Sequence, residues 1–222
     1  MAQGTLALVG GAEWQEGCAF DADLLEASGG RDVLVLPTAA AYEHPDRAVE
    51  TARAWFAGLG GTVRPLPVLA RHDAMDEATA ATVRDARFVY LSGGSPLHLR
   101  SVLKETPVWD ALVAAWEEGA VVAGSSAGAM ALCDPMVDPR GGALTVGLGL
   151  VENLAILAHA DEDVAAHHRR TLELAGDDLV VAAVAERTAL LRDPDGSWRV
   201  SGAGGVTVLL GGREVGLDAL PG

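Results

Sequence analysis

The sequence predicts an α/β protein: three α/β/α layers around a mostly parallel sheet, followed by a strand-rich C-terminal part. Two observations predict the layers. Continuous apolar runs such as TLALVGG (5–11) and DVLVLPTA (32–39) read as strands covered on both faces, as in a parallel sheet flanked by helices. Helical segments alternate with such runs through the N-terminal part of the chain. A third observation predicts the tail, where DLVVAAVAE, TALLRD, WRVSG and VTVLLGG resemble short strands separated by turns.

In chain order, 5–11 is a buried strand ending in a glycine turn, and 32–39 is a second strand. Residues 45–58 form a helix, with Pro45 suited to its first turn and Gly58 ending it. TVRPLPVL is a weaker strand whose Pro65 and Pro67 suit a sheet edge. Residues 74–85 read as helix and RFVYLSGG (87–94) as strand. Helical segments then run to a break near Pro107, AVVAG (120–124) is another strand, and Ser126 opens the next helix. Beyond Pro139 a glycine-rich stretch continues through Gly149, then LAILAHAD (154–161) reads as a strand and DEDVAAHHRRTLELA as a helix. There is no linker and no internal repeat, so one domain spanning 1–222 is expected.

Composition narrows the function. The chain has 222 residues, half of them apolar, enough for one substantial core. Sixteen basic against thirty-one acidic residues give a formal charge of −15. That argues against a nucleic-acid partner, since phosphates are bound by clustered Lys and Arg, and against a polybasic membrane anchor. Cys18 and Cys133 form neither a disulfide framework nor a CxxC site, which suits a reducing cytoplasm. The N-terminus lacks a signal-like segment, and no apolar run is long enough to span a membrane. The tryptophans at 14, 55, 109, 116 and 198 suit a core or an interface, the latter in a homodimer.

In three-layer sheets, ligands sit beyond the carboxyl ends of the strands. Two loops occupy such ends: SGGSP (92–96) and GSSAG (124–128). GSSAG fits G-x-S-x-G, in which a strained strand-to-helix turn holds a serine hydroxyl above the sheet, beside free N–H groups of the helix start. Ser126 is thus the candidate nucleophile, with a helix N-cap as the plainer role. Ala127 N–H and Gly94 N–H are the candidate oxyanion donors. A serine needs a base, and His159, at the end of LAILA, has the best strand-end setting. His98 is the reserve, and His167 and His168 lie in a polar helix. The base needs an acid. Glu186 ends a strand and is preferred; Asp161, two residues from His159, and Asp134 and Asp138, beyond the nucleophile helix, remain open.

Taken in order, LALVGG, YLSGGSPLHL, VVAGSSAGAMAL, LGLVENLAILAHAD, VVAAVAERTAL and GAGGVTVL resemble peptidase family S51, which includes aspartyl dipeptidases and cyanophycinases, within the class I glutamine amidotransferase-like fold. The resemblance implies Ser126 as nucleophile, His159 as base, and Gly93 and Gly94 in the oxyanion loop. Glu186 matches the acid of the cyanophycinase-like branch, whereas the dipeptidase-like branch places its acid nearer Asp134 and Asp138. It further implies a serine-type peptidase acting on small peptides without metal or cofactor. Where relatives carry a carboxylate or amide after the double glycine, this chain has Ser95 and Pro96, and it lacks the polar motif around the cyanophycinase histidine. Gly93, Ser95, Arg100, Arg169 and Arg170 are the candidate substrate-binding residues, the arginines because an acidic peptide needs cations in so acidic a chain.

Overall fold

The computed structural model describes residues 3–161 and 168–222. In chain order it gives β1 (Leu6–Val9), α1 (Phe20–Ala27), β2 (Asp32–Leu36), α2 (Pro45–Gly58), β3 (Thr62–Pro65), α3 (Arg71–Ala74), α4 (Glu77–Arg84) and β4 (Phe88–Leu91). Then follow α5 (Pro96–Leu103), α6 (Pro107–Glu117), β5 (Val121–Ser125), α7 (Ala127–Leu132), β6 (Cys133–Asp134), β7 (Met136–Asp138), β8 (Ala143–Thr145), β9 (Val151–Glu152) and β10 (Leu154–Leu157). The tail holds α8 (Arg169–Ala175), β11 (Val180–Val184), β12 (Thr188–Arg192), β13 (Trp198–Gly202), β14 (Val206–Leu210) and β15 (Arg213–Val215).

The central sheet has seven strands in the order β13-β12-β1-β5-β4-β2-β3. β1, β5, β4, β2 and β3 run parallel, while β12 and β13 join antiparallel at the β1 side. The proline-bearing β3 lies at the edge, where an N–H missing from proline removes no ladder bond. Alternation along the strands divides the interior in two. Leu6, Leu8, Leu34, Leu36, Val89 and Leu91 face a core shared with α4 to α7. Ala7, Val9, Val33, Val35, Phe88 and Tyr90 face a core shared with α1 and α2. These are the three layers the apolar runs imply, with both faces of the sheet covered.

Local signals set most boundaries. Pro45, Pro96 and Pro107 each stand in the first turn of a helix, where no intrahelical N–H is needed. The helix expected over 74–85 begins later, at Glu77, because the Asp76 carboxylate accepts from Thr79 N–H and caps it. The helix expected over 161–175 is observed from Arg169; residues 162–167 of that stretch lie outside the described residues. The strand-rich tail does not simply extend the main sheet. β10, β11, β14 and β15 form a separate four-stranded sheet, and the buried runs of β10 and β11 join the same core as α7. β7 and β8 make a small antiparallel hairpin from the glycine-rich stretch.

One buried carboxyl group stands out in the core under α1 and α2. Asp21 is fully buried and accepts a hydrogen bond of 2.8 Å from Trp55 Nε1. Burial pushes its carboxyl up to about 8, against the opposing pull of that indole N–H and with a further push from Glu13. The folded state therefore binds a proton that the unfolded chain gives up near its ordinary value of 3.8. Stability from this group is complete below that value and is lost as pH rises towards about 8. Asp21→Asn, which keeps an acceptor for Trp55 and carries no charge, is expected to raise the thermal midpoint at pH 8.5 more than at pH 5. Equal shifts at the two pH values in calorimetry would count against this account.

Candidate active site

β5 lies between β1 and β4 in the sheet, so the loops leaving these three strands meet at one end. The elbow after β5 holds Ser126 at φ 47° and ψ −105°, a strained conformation for a non-glycine residue. Its N–H donates to Val9 O at 2.8 Å, tying the turn to β1. Ser126 Oγ lies 2.8 Å from His159 Nε2, and His159 Nδ1 lies 2.8 Å from Glu186 Oε1. A carboxylate only accepts, so Nδ1 carries the hydrogen and Nε2 is left to accept from the serine. The His159 and Glu186 side chains are about half exposed, at 51% and 40%, and so open to a ligand.

The imidazole is located by backbone. His159 N–H donates to Gly10 O and Arg187 N–H donates to Gly11 O, both at 2.8 Å. The end of β1 therefore holds the segment carrying His159 and the one carrying Glu186. Gly11, at φ +131°, lies directly against the ring: a Cβ there would sit 2.3 Å from His159 Cε1. Gly94 is equally constrained, with φ +133° and space for a Cβ occupied by Ala39 O at 2.3 Å. Ala127, first residue of α7, has no intrahelical acceptor for its N–H.

Ser126, His159 and Gly94 border a cleft of ≈ 600 Å³. Its far wall is the β7–β8 hairpin turn with Arg140, together with Arg170 and Thr171 of α8. Thr171 Oγ1 donates to Gly142 O at 2.9 Å and fastens the helix to the hairpin. Among the described residues no His, Cys, Asp and Glu cluster could hold a metal ion, and no helix is long and apolar enough to cross a membrane.

The other residues picked from the sequence go to different places. Asp161 accepts from Glu186 N–H at 3.2 Å and so steadies the turn bearing Glu186 instead of touching the histidine. Asp138 is bound to Arg140, whose guanidinium holds its carboxyl down at about 2. Asp134 accepts from Gly147 N–H. Ser95 Oγ accepts from His98 N–H and caps α5, and Gly93 N–H donates to Glu13. His98 Nε2 bonds Leu69 O, away from Ser126. Of the three arginines only Arg170 reaches the cleft wall; Arg169 pairs with Glu173 in solvent, and Arg100 is not among the lining residues. His167 lies outside the described residues, whereas His168 lines the cleft. The Cys133 thiol is buried and raised by desolvation, which leaves it unreactive. Among the residues around the site that sequence reasoning did not pick out are Glu13, Arg140 and Gly11. The signal available for two of them was GGAE directly after a central strand.

Residues 6–195 match the sequence model of peptidase family S51. The chain belongs to peptidase family S51. With that membership comes peptidase chemistry on the class I glutamine amidotransferase-like fold. Two curated relatives, the cyanophycinases of Synechococcus elongatus and of Thermosynechococcus vestitus (strain NIES-2133 / IAM M-273 / BP-1), are each 28% identical over 221 residues, covering 93% of this chain and 68% of theirs. The crystal structure of a peptidase from an acI-B1 Actinobacterium is similar at 31% identity and a TM-score of 0.84, covering 96% of this chain and 93% of that one. A putative peptidase E from Listeria monocytogenes EGD-e shares the fold, with 18% identity and a TM-score of 0.66 over 94% of this chain and 99% of that one.

The contact between Gly11 and His159 generates a prediction. Gly11→Ala places a methyl where the ring stands and costs about 1–3 kcal/mol in backbone strain. A crystal structure of the variant is expected to show the imidazole displaced and the Ser126–His159 hydrogen bond broken. An unmoved ring would disprove the constraint.

Proposed function

We propose that this S51 peptidase is a serine hydrolase that cleaves small peptides through Ser126, His159 and Glu186, in the manner of an exopeptidase or dipeptidase. The observation that carries the reading is the unbroken hydrogen-bonded chain from Ser126 Oγ through His159 to Glu186, opening on a cleft. His159 takes the serine proton as Oγ attacks the scissile carbonyl, and Glu186 stabilises the imidazolium that results. Gly94 and Ala127 N–H groups receive the developing oxyanion. His159 then protonates the leaving amine, and water, activated by the same nitrogen, hydrolyses the acyl-enzyme.

The cleft wall supports an acidic substrate of aspartyl-dipeptidase type. Arg140 is already neutralised by Asp138, but among the described residues Arg170 has no carboxylate at ion-pair distance. Arg170 is therefore the group suited to hold a substrate carboxylate. A second reading is favoured by the names of the two curated relatives: a cyanophycinase-like activity.

A dipeptide-library screen that includes cyanophycin separates the two. Ser126→Ala and His159→Ala are expected to lower kcat by about 10⁴-fold or more, and Glu186→Gln by a smaller factor of about 10²–10⁴. A fluorophosphonate probe is expected to label wild type and not Ser126→Ala; absent labelling of folded wild type favours a non-catalytic binding protein. Charge reversal in Arg170→Glu is expected to raise KM for acidic peptides at least tenfold with a lesser effect on kcat. An unchanged KM removes Arg170 from the pocket.

A further inference from the structure

Glu13, in the loop after β1, has no part in the mechanism above, yet its carboxylate joins both halves of the site. Oε1 accepts from Gly93 N–H at 2.9 Å, and Oε2 accepts from Ser125 Oγ at 2.7 Å. Gly93 belongs to the loop after β4, and Ser125, fully buried, immediately precedes Ser126 on β5. The packing is close: a Cβ on Gly93 would lie 3.2 Å from Glu13 Oε1 and 3.7 Å from Ser126 Cβ.

The consequence lies in the donors of the 92–96 loop. Ser92 N–H donates to Leu36 O, Gly93 N–H to Glu13, and Ser95 N–H to Ala39 O; Pro96 has none. Gly94 N–H is left, among the described residues, without an acceptor, and Gly94 borders the cleft. It is held from both sides, by Glu13 through the preceding residue and by Ala39 through the following one. From these contacts we infer that Glu13 is a positioning residue: it sets the distance between the Gly94 N–H and the Ser126 hydroxyl by clamping the two loops that carry them. The role rests on the serine-hydrolase reading. It demands two hydrogen-bonding atoms at full glutamate reach, because one terminal atom serves each loop. A misplacement of about 1 Å in such a site costs about 10²-fold in rate.

The test compares Glu13→Asp, Glu13→Gln and Ser125→Ala by the second-order rate of fluorophosphonate labelling, with a thermal melt of each. Gln has the reach, accepting from Gly93 with its oxygen and donating to Ser125 Oγ with its nitrogen; Asp keeps the charge and is one methylene too short. The expected order is wild type, then Glu13→Gln within about threefold, Ser125→Ala slower by about three- to tenfold, and Glu13→Asp slower by at least thirtyfold. Melting alone does not produce this order, since rescue by Gln follows reach and not charge. Wild-type rates in Glu13→Asp, or a slow Glu13→Gln beside a fast Glu13→Asp, overturn the role. If Glu13→Asp does not fold, Ser125→Ala and Glu13→Gln decide: an unslowed Ser125→Ala or a Gln variant as slow as thirtyfold overturns it. Wild type that is not labelled, or labelling that survives Ser126→Ala, brings down the serine-hydrolase reading itself.

Discussion

Backbone hydrogen bonding at the carboxyl end of β1 is the constraint on which the site depends. Over three successive residues, Val9 O accepts from Ser126, Gly10 O from His159 and Gly11 O from Arg187. Each such bond contributes only about 1 kcal/mol net, but leaving a buried partner unpaired costs more, about 1–3 kcal/mol. Three distant segments are thus registered against one central strand. The serine elbow, the histidine and the turn bearing Glu186 do not need to find each other directly. Each finds β1.

This anchoring explains how the site tolerates so much local strain. Ser126, His159 and Arg187 all have positive φ, at 47°, 57° and 54°. Such conformations cost of order 1–3 kcal/mol apiece and persist only where the surroundings over-determine them. Each of the three strained residues donates its N–H to one of the β1 carbonyls just named. Strain and anchor therefore coincide residue by residue. The Ser126 and His159 side chains are free to face the cleft because the main chain beneath them is fixed.

The layers, the helix start at Pro45 and the strand-end settings of Ser126, His159 and Glu186 were legible in the sequence because each rests on a local signal. Buried strands are continuous apolar runs, Pro45 stands in the first turn of α2, and Ser126, His159 and Glu186 stand just beyond the ends of such runs. What was illegible depends on distance. Glu13 is one acid in an acid-rich chain, and its partners lie 80 and 112 residues away. Gly10 and Gly11 were two glycines among 27. What distinguishes them is packing: a Cβ on Gly10 would meet Ala185 O at 2.1 Å, and one on Gly11 would meet the His159 ring. The four-stranded second sheet was hidden for a similar reason: β10 and β11 read as ordinary buried strands, and nothing local says which sheet receives them. The helix α1 also went unread, since eight residues with two acids in the first turn carry little periodicity. Arg140 escaped because it lies in a glycine-rich turn, and only the folded hairpin brings it over the cleft.

The hairpin wall has a consequence for how such a protein diversifies. The β7–β8 turn is secured to α8 through Thr171 and Gly142, whereas the segments carrying Ser126, His159 and Glu186 are secured to the end of β1. The hairpin strand β7 packs on α7 and β10, but the turn after it has its own polar anchor. Replacements confined to that turn can reshape what the cleft admits while the β1 anchors stay intact. The rim of the cleft is thus freer to drift over evolutionary time than the backbone frame beneath it.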